Sequence, residues 1–516
     1  MTEPVDTSPR GLAGLLLGII SCDRERLERI DCYANGDHDL PYMPVGADAE
    51  YKMLAKRSIT NFIPLFINTP AQALYVDSLR RGIASATDET DNYRQELPEW
   101  KHWQDSRLDG RQLAINRGAL KFGHAFALTE KSAKGKVHTK GLSALNTSAV
   151  YVDAANDVEP FAALTVTRYP QPDSKNKAAR TGVARLWDGT YEYPVTFGSL
   201  VDLESVSVGR GVAHGAGSCP VTRFAASVDL EGRTCGVVER VMSIQDRINQ
   251  TVFDLLVAQT YGSFKVRTIT GMAPPVMRWT QAAIDAGQAP EGTEAGDIAL
   301  DTEGNPIPRP INMAASRYMF AEDENVKFSQ LDETPLKGYI ESLDMSLRHL
   351  SVITQTPPHY LLGEIANLAA EALQAAETAL LRMVEDYRKS FGESWERVFR
   401  LAAYLLGETE AADDYSAEVM WRDMEMRSLS ATADALVKLK ELGIPLLGLW
   451  NRVPETTRGE IETWMRMRGE DIAFRKQLAE IDLIAGQRVQ MPLGTEPPTA
   501  KQVDSGSEKA PVPAAA

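Results

Sequence analysis

Cysteine is scarce in this chain: Cys22, Cys32, Cys219 and Cys235 are the four among 516 residues. None forms a C-x-x-C pair, and no histidine stands at zinc-ligand spacing from them. That usage excludes a disulfide framework and fits a reducing compartment, with plain structural thiols. Positive charge is also short. Fifty-five Lys+Arg against 71 Asp+Glu leave a net charge of −16, which excludes a protein that grips nucleic acid over its whole surface. It does not exclude one that DNA passes through, since a negative wall repels phosphate. No apolar run reaches the ~20 residues of a membrane span. The run Gly11–Ile20 before Cys22 faintly resembles a lipoprotein signal. Its preceding segment, however, carries Glu3 and Asp6 with only Arg10 as a cation, where a signal peptide starts basic. It reads as a cytosolic helix.

Catalytic motifs are missing too. The seven histidines, His38, His102, His124, His138, His214, His349 and His359, have no local partners of catalytic or metal type. There is no G-x-S-x-G and no H-E-x-x-H. The acidic runs Glu322–Glu324 and Asp413–Asp414 read as solvated surface. Asp301–Asn305 lacks calcium-loop spacing and reads as a hairpin turn. Gly118–Ala125 has phosphate-loop glycine spacing without the Lys and Ser/Thr that would follow, so two glycines at a helix end are the simpler reading. Gly209–Ser218 lacks G-x-G-x-x-G and reads as a flexible loop. No metal and no cofactor is implied.

What is present is organised around residues 331–406. A helix is expected over Leu336–Val352. A break follows at Ile353–Asn367, with Pro357, Pro358 and Gly363, because proline cannot donate and disfavours helix in the residue before it. Apolar residues then recur at helical spacing from Leu368 to about Leu406, a rod of about 60 Å. Upstream, Leu12–Ala34 reads as a helix stopped by Asn35-Gly36. Ala47–Arg80 reads as helical with interruptions at Pro64 and Pro70. Asp88–Glu96 reads as a solvated loop, and Asp109–Phe122 as a helix.

From Ala125 to Ala226 the period changes to two. Strands are expected at Ala125–Thr129, Phe161–Tyr169, Val183–Trp187 and Tyr191–Val195, with a hairpin at Asp188-Gly189. The block reads as antiparallel sheet on N-terminal helices, an α+β arrangement. Val237–Tyr261 is a clean amphipathic helix. The proline- and glycine-rich stretch after it, with strand-like pieces at Phe264–Ile269, Ile298–Asp301 and Ser316–Phe320, reads as an insertion between two helices. Downstream come a strand at Ser416–Asp423 and helices at Ser428–Gly443 and Arg458–Gly486. A Pro/Ala/Gly/Ser-rich tail, Gln487–Ala516, is expected to be disordered. No internal repeat is found.

Four places, in this order, resemble the portal proteins of tailed bacteriophages, in the branch typical of long-tailed phages of Gram-positive hosts. Tyr33–Leu40 (YANGDHDL), with Lys56–Asn61 and Ala73–Val76 after it, is similar to the family's opening segments. Ser243–Asn249 (SIQDRIN) resembles its stem-helix phrase. Thr354–Gly363 (TQTPPHYLLG) before Glu371-Ala372-Leu373 is similar to its tunnel loop and long helix. Ser428–Trp450, with Gly443-Ile444-Pro445, matches the start of its helical crown. The resemblance covers about residues 15 to 465. Phe62–Ile67 departs from it, where the family tends to have a tryptophan and a polar pair.

The resemblance implies a portal-type fold: an α+β wing (1–235 and 368–425), stem helices (236–262 and 332–352), a clip (263–331), a tunnel loop (353–367) and a crown (426–485). It implies a homododecameric ring around a channel for double-stranded DNA, with no sequence specificity, no enzymatic activity and no membrane contact. The partners implied are the terminase large subunit, a head-completion or adaptor protein, and the major capsid and scaffolding proteins, in the virion and, during assembly, the host cytoplasm. Thr354, Gln355, Pro357, Pro358, His359 and Tyr360 would line the channel, His359 and Tyr360 nearest DNA, although core packing competes for Tyr360. Asp246 and Arg247 would face neighbouring copies. Lys265, Arg267 and Arg348 would meet phosphate or a neighbour, or be ordinary surface charge. The rival classes are an enzyme with a protruding cap and a scaffold that forms no ring.

Overall fold

The computed structural model describes residues 6–488, apart from 47, 81–97, 172–176, 263–266, 271–275, 291, 302–303, 308–326, 331–334, 364–369, 423–428, 451–452, 454–455 and 457. The expected loop Asp88–Glu96, the strand Ser316–Phe320 and nearly all of the tail Gln487–Ala516 fall outside these residues. The chain divides into two compact units: residues 1–84 with 96–421, and residues 422–516 with 85–95.

The first unit opens with α1 (Pro9–Asn35). Ser8 accepts the Gly11 N–H, Pro9 sits in the first turn, and Gly36 closes the helix at φ +93°. This left-handed position is one glycine adopts freely. Leu12, Leu16, Leu17 and Ile20 pack under a sheet, while Leu27, Ile30 and Tyr33 enter the main core. One helix therefore serves two apolar clusters. Two helices follow, α2 (Ala49–Ser58) and α3 (Ile63–Ala73). Pro64 opens α3, where its missing N–H costs nothing. The divergent Phe62–Ile67 places Ile63, Phe66 and Ile67 in the core.

The helical reading of Ala47–Arg80 fails at its end. Val76–Arg80 is a strand, β1. Its partner comes from far along the chain, and the Gln112 amide brackets Val76 by accepting from its N–H (2.8 Å) and donating to its carbonyl (3.4 Å). Next come α4 (Pro98–Asp105) and α5 (Leu108–Phe122). After α5, Gly123 has φ +90°, and a Cβ there would lie 2.8 Å from the Cys235 carbonyl carbon. The glycine thus permits two backbone segments to cross.

The α+β reading holds. Strands β2 (His124–Lys131) and β3 (Val137–Leu142) form one antiparallel sheet with a later strand. The other is an antiparallel meander: β4 (Thr147–Val150), β5 (Ala162–Arg168), β6 (Gly182–Trp187), β7 (Tyr191–Phe197) and β8 (Ser207–Val208), with β9 (Val212–Ala213) also on β7. Asp188 turns the β6–β7 hairpin by accepting from the Thr190 and Tyr191 N–H groups at 2.7 and 2.6 Å. Part of the expected loop Gly209–Ser218 is therefore strand. Strand β10 (Val221–Ala225) pairs with β2 and edges the first sheet.

Helix α6 (Val237–Gly262) leaves this body. The segment after it contains β11 (Arg267–Thr270), the short α7 (Gln281–Asp285) and β12 (Lys327–Gln330), with β11 and β12 antiparallel. Two isolated bridges lie between them, Arg278 with Ile298 and Leu300 with Pro306. The Asp301 N–H donates to the Asn305 carbonyl at 2.8 Å and the Gly304 N–H to the Asp301 carbonyl at 3.1 Å. Helix α8 (Lys337–Thr354) returns alongside α6, and α9 (Pro358–Leu362) follows within the expected break.

Helix α10 (Ala370–Leu406) has 37 residues, about 55 Å of rod. It presents Tyr387, Phe391, Trp395 and Phe399 to the core, against Trp103 and Phe224. It also stitches down the edge of β10. Ser390 donates to the Ala225 carbonyl, Ser394 to Arg223, and Arg397 to Val221 and Cys219, at 2.7–2.8 Å. Four residues of helix rise about 6 Å and two of strand about 6.8 Å, so the two periods stay in step. After the single turn α11 (Thr409–Ala412), β13 (Glu418–Trp421) pairs antiparallel with β1, and Arg80 forms an ion pair with Glu418 across them.

The second unit holds α12 (Leu429–Glu441), α13 (Leu446–Trp450) and α14 (Arg458–Arg488). Gly443 takes φ +89° after α12. Trp450 meets Trp464 edge-on at 6.3 Å, and Arg468 lies over the Trp450 ring.

Candidate functional site

Two of the segments singled out in the sequence meet in space. Along α6, Val241, Ile244 and Ile248 fill the core. The polar residues between them turn toward the loops after α1 and α2. Gln245 accepts the Phe62 N–H (3.1 Å) and donates to the Thr60 carbonyl (2.7 Å). Asn249 accepts the Thr60 N–H (3.1 Å) and donates to His38 Nδ1 (2.9 Å). His38 Nε2 reaches the Tyr33 carbonyl (2.9 Å), which fixes its tautomer, and its ring stacks on Tyr33. The Tyr33 hydroxyl donates to Asp246 (2.8 Å). Gln245, Asn249 and His38 are buried, so each bond replaces one with water that burial removes.

Asp246, expected to face a neighbouring copy, thus accepts from Tyr33 in its own chain. Burial holds its carboxyl above the usual range, and burial with the Asp246 hydrogen bond raises the Tyr33 phenol. The sequence reading missed this latch. The signal was there as Gln245 and Asn249 at i, i+4 on an otherwise apolar face, a spacing that aligns both amides with one loop.

Arg247 points elsewhere. Its guanidinium donates to His349 Nδ1 on α8 at 3.1 Å. The two flank a cleft of about 590 Å³ between α6 and α8, lined also by Ser243, Ile244, Val352 and Ile353. Arg348 pairs with Asp344 one turn earlier at 3.0 Å, both well exposed. Arg267 lies in β11 opposite Gln330, and Lys265 lies outside the described residues. A second cleft, about 550 Å³, separates α1 from α6, with Arg26 and Glu239 paired across it at 3.0 Å.

The break after α8 begins two residues later than the sequence suggested and contains the short α9. Helix α8 runs on to Thr354, and Gln355 ends it at φ +52°. The Thr354 hydroxyl donates to the Leu350 carbonyl (2.8 Å), and Ser351 donates to the Thr356 carbonyl (2.6 Å). Thr354, Thr356 and Pro357 are buried within the chain, and the Ser351 and Thr354 hydroxyls pin the turn. Pro358 opens α9 and Gly363 closes it at φ +67°. Gln355, Pro358 and Tyr360 are exposed, with His359 half-buried between them. Tyr360 is 40% exposed, which weighs against core packing. Its hydroxyl donates to Glu377 on α10 at 3.3 Å, and its ring meets His359 edge-on.

Among the described residues no His/Cys/Asp/Glu group could hold a metal ion, and no helix is long and apolar enough to cross a membrane. The site is a turn between two helices beside an apolar cleft.

A family model described as "Phage portal protein, SPP1 Gp6-like" matches residues 18–473. The chain is 30% identical to the portal protein of Mycobacterium phage D29 over 182 residues, which make up 34% of this chain and 37% of that relative. It is 29% identical to the portal protein of Mycobacterium phage L5, again over 182 residues with the same shares. The match therefore spans little more than a third of the length of these curated relatives.

Proposed function

We propose a function from one premise: this chain belongs to the phage portal proteins of SPP1 Gp6-like type. Twelve copies form a ring at one vertex of the capsid, and the ring is the channel through which double-stranded DNA is packaged, retained and ejected. Helices α6 and α8 are the stem, 263–331 the clip, 353–367 the tunnel loop, 426–485 the crown, and the sheets with α10 the wing. The clip docks the terminase large subunit and later a head-completion or adaptor protein. The wing and crown meet capsid and scaffolding proteins.

The observation that carries this reading is the set of exposed apolar side chains on α8. Ile340, Met345, Val352 and Ile353 are half or more exposed, Val352 at 76%. Met345 and Val352 share a side of the helix, Val352 and Ile353 line the cleft toward α6, and exposed apolar side chains so placed suit burial by another copy. Closed rotational symmetry supplies such a copy, because each subunit then buries two different faces. Ile353–Asn367 contains no Lys or Arg and one acid, Glu364. A loop without fixed positive charge, in a protein of net charge −16, touches DNA without the counterion release that makes phosphate contacts strong. Phosphate contact falls to Arg247 and His349 at the cleft mouth, with Arg348, Arg267 and Lys265 as further candidates. The chemistry is passage and not turnover.

Negative-stain electron microscopy of the purified protein tests the ring. Annular particles with a central hole are expected; compact monomers or dimers with turnover on a small molecule would point to an enzyme. Replacing both Pro357 and Pro358 by Ala is expected to leave rings intact and to lower DNA packaging or retention. Unchanged packaging in that variant would sink the loop assignment.

A further inference from the structure

The far end of α10 carries a surface that the channel does not use. Leu401, Ala402 and Leu405 pack inward with Val137 and Ala216. Glu393, Glu396, Arg400 and Tyr404 recur three or four residues apart on another face, and none of them is buried. Tyr404 is 48% exposed, yet its aromatic ring is fixed from beneath. It lies against Gly217, where a Cβ would come within 2.7 Å of it, and Gly217 takes φ +74°. Only glycine combines that conformation with so close an approach. Tyr415, just after α11, is 79% exposed, and the Arg400 guanidinium lies over its aromatic ring at 4.6 Å. Arg400 and Tyr404 are one helical turn apart, so the two tyrosines and the arginine form one strip.

Tyrosine and arginine dominate the binding energy of protein interfaces, and tyrosine offers large contact area at small entropic cost. The charge around the strip points to its partner. From Glu393 to Glu418 the sequence has seven acids and two bases, Arg397 and Arg400. Arg397 is buried, and Arg400 is stacked on Tyr415. Glu408, Glu410 and Asp413, between the two tyrosines in sequence, are exposed. Such a surface repels phosphate. A guanidinium fits it in two ways. Its plane stacks on a tyrosine, as Arg400 does on Tyr415, and its N–H fork meets carboxylates.

We propose that this strip docks an arginine-bearing basic segment of a second protein, with guanidinium groups on Tyr404 and Tyr415 and the acids as a rim. The portal reading, on which this inference rests for the partner's source, makes that protein a head protein meeting the wing. The surface itself is read from this chain alone.

The test titrates the full-length protein into a fluorescein-labelled hexa-arginine peptide and follows anisotropy. The peptide should bind, and a hexa-glutamate peptide should not. Tyr404→Ala with Tyr415→Ala leaves the net charge unchanged, yet should weaken binding about fivefold or more. Tyr415→Ala alone should give part of that loss. Glu410→Gln with Asp413→Asn should weaken binding as well, whereas Glu50→Gln with Glu470→Gln, exposed acids elsewhere, should not. No binding, or binding indifferent to the tyrosines, would overturn the docking strip and leave the ring of subunits standing. Loss of subunit rings in the double tyrosine variant would overturn it too, because the occupant would then be another copy of this chain. In infected cells the variant should enter heads less often than the wild type, and normal entry would overturn the head-protein partner. Absence of subunit rings from the wild type would overturn the portal reading, while the peptide titration would still decide the strip.

Discussion

Helices α6 and α8 lie side by side and differ in how they spend their side chains. Helix α6 turns its amides inward: Gln245 and Asn249 are buried and bonded to Thr60, Phe62 and His38. Helix α8 turns apolar groups outward at Ile340, Met345, Val352 and Ile353. The first helix is finished within one chain. The second carries a surface suited to completion by something else. A phrase that stands out in a sequence can therefore mark a fold's internal latch, while the helix packed beside it leaves apolar side chains in solvent.

Away from these two helices, histidines on α4 and β2 make the fold sensitive to acid. Burial pushes the His102 imidazole down to about 4, and burial with Arg26 and Arg223 does the same for His124. Both would titrate near 6.5 when unfolded. Their neutral forms thus stabilise the fold fully above pH 6.5, and that contribution is lost as pH falls toward 4. For the well-buried His102 this amounts to at most about 3 kcal/mol. Urea denaturation at pH 7.5 and pH 4.5 should show the loss, and His102→Gln should shrink the difference between the two.

Next in size is the α6 latch. Asn249→Ala strands the Thr60 N–H and His38 Nδ1, and should cost about 2–3 kcal/mol in a chemical melt. A change under about 0.5 kcal/mol would mean that water or a neighbour takes over those bonds. The outward side should behave in the opposite way. Val352→Asp should move the melting of dissociated subunits by less than about 0.5 kcal/mol yet sharply lower the fraction of particles that are rings. If rings form normally, α8 is not an association face. The smallest effect belongs to Arg348→Ala. Its ion pair with Asp344 is an exposed i, i+4 contact, worth about 0.3–0.5 kcal/mol.

How much could be read without coordinates follows from chain distance. The long helices and the β6–β7 hairpin are local, and periodicity or turn chemistry reveals them. The helical reading of Val76–Arg80 failed because that strand is defined by a partner at Glu418–Trp421. Five residues with Ser78 and Leu79 side by side carry no clear period of their own. Strand β10 was overlooked for a related reason. Its edge is satisfied by Ser390, Ser394 and Arg397 on α10, a pairing that no window of sequence displays. At the loop, the prolines mark the place of the break but not what is buried within it. Thr354, Thr356 and Pro357 are buried by the pinning bonds of Ser351 and Thr354, which only the folded turn creates.

The pairing of β1 with β13 sets a schedule for the newborn polypeptide. Arg80 and Glu418 are separated by 338 positions. At about 5–20 residues per second, a ribosome needs roughly 17–70 s to make that stretch. Throughout that time the Val76–Arg80 edge waits open, in the state most apt to recruit a stranger. A message cut short before codon 418 would release a chain that can never shut that seam.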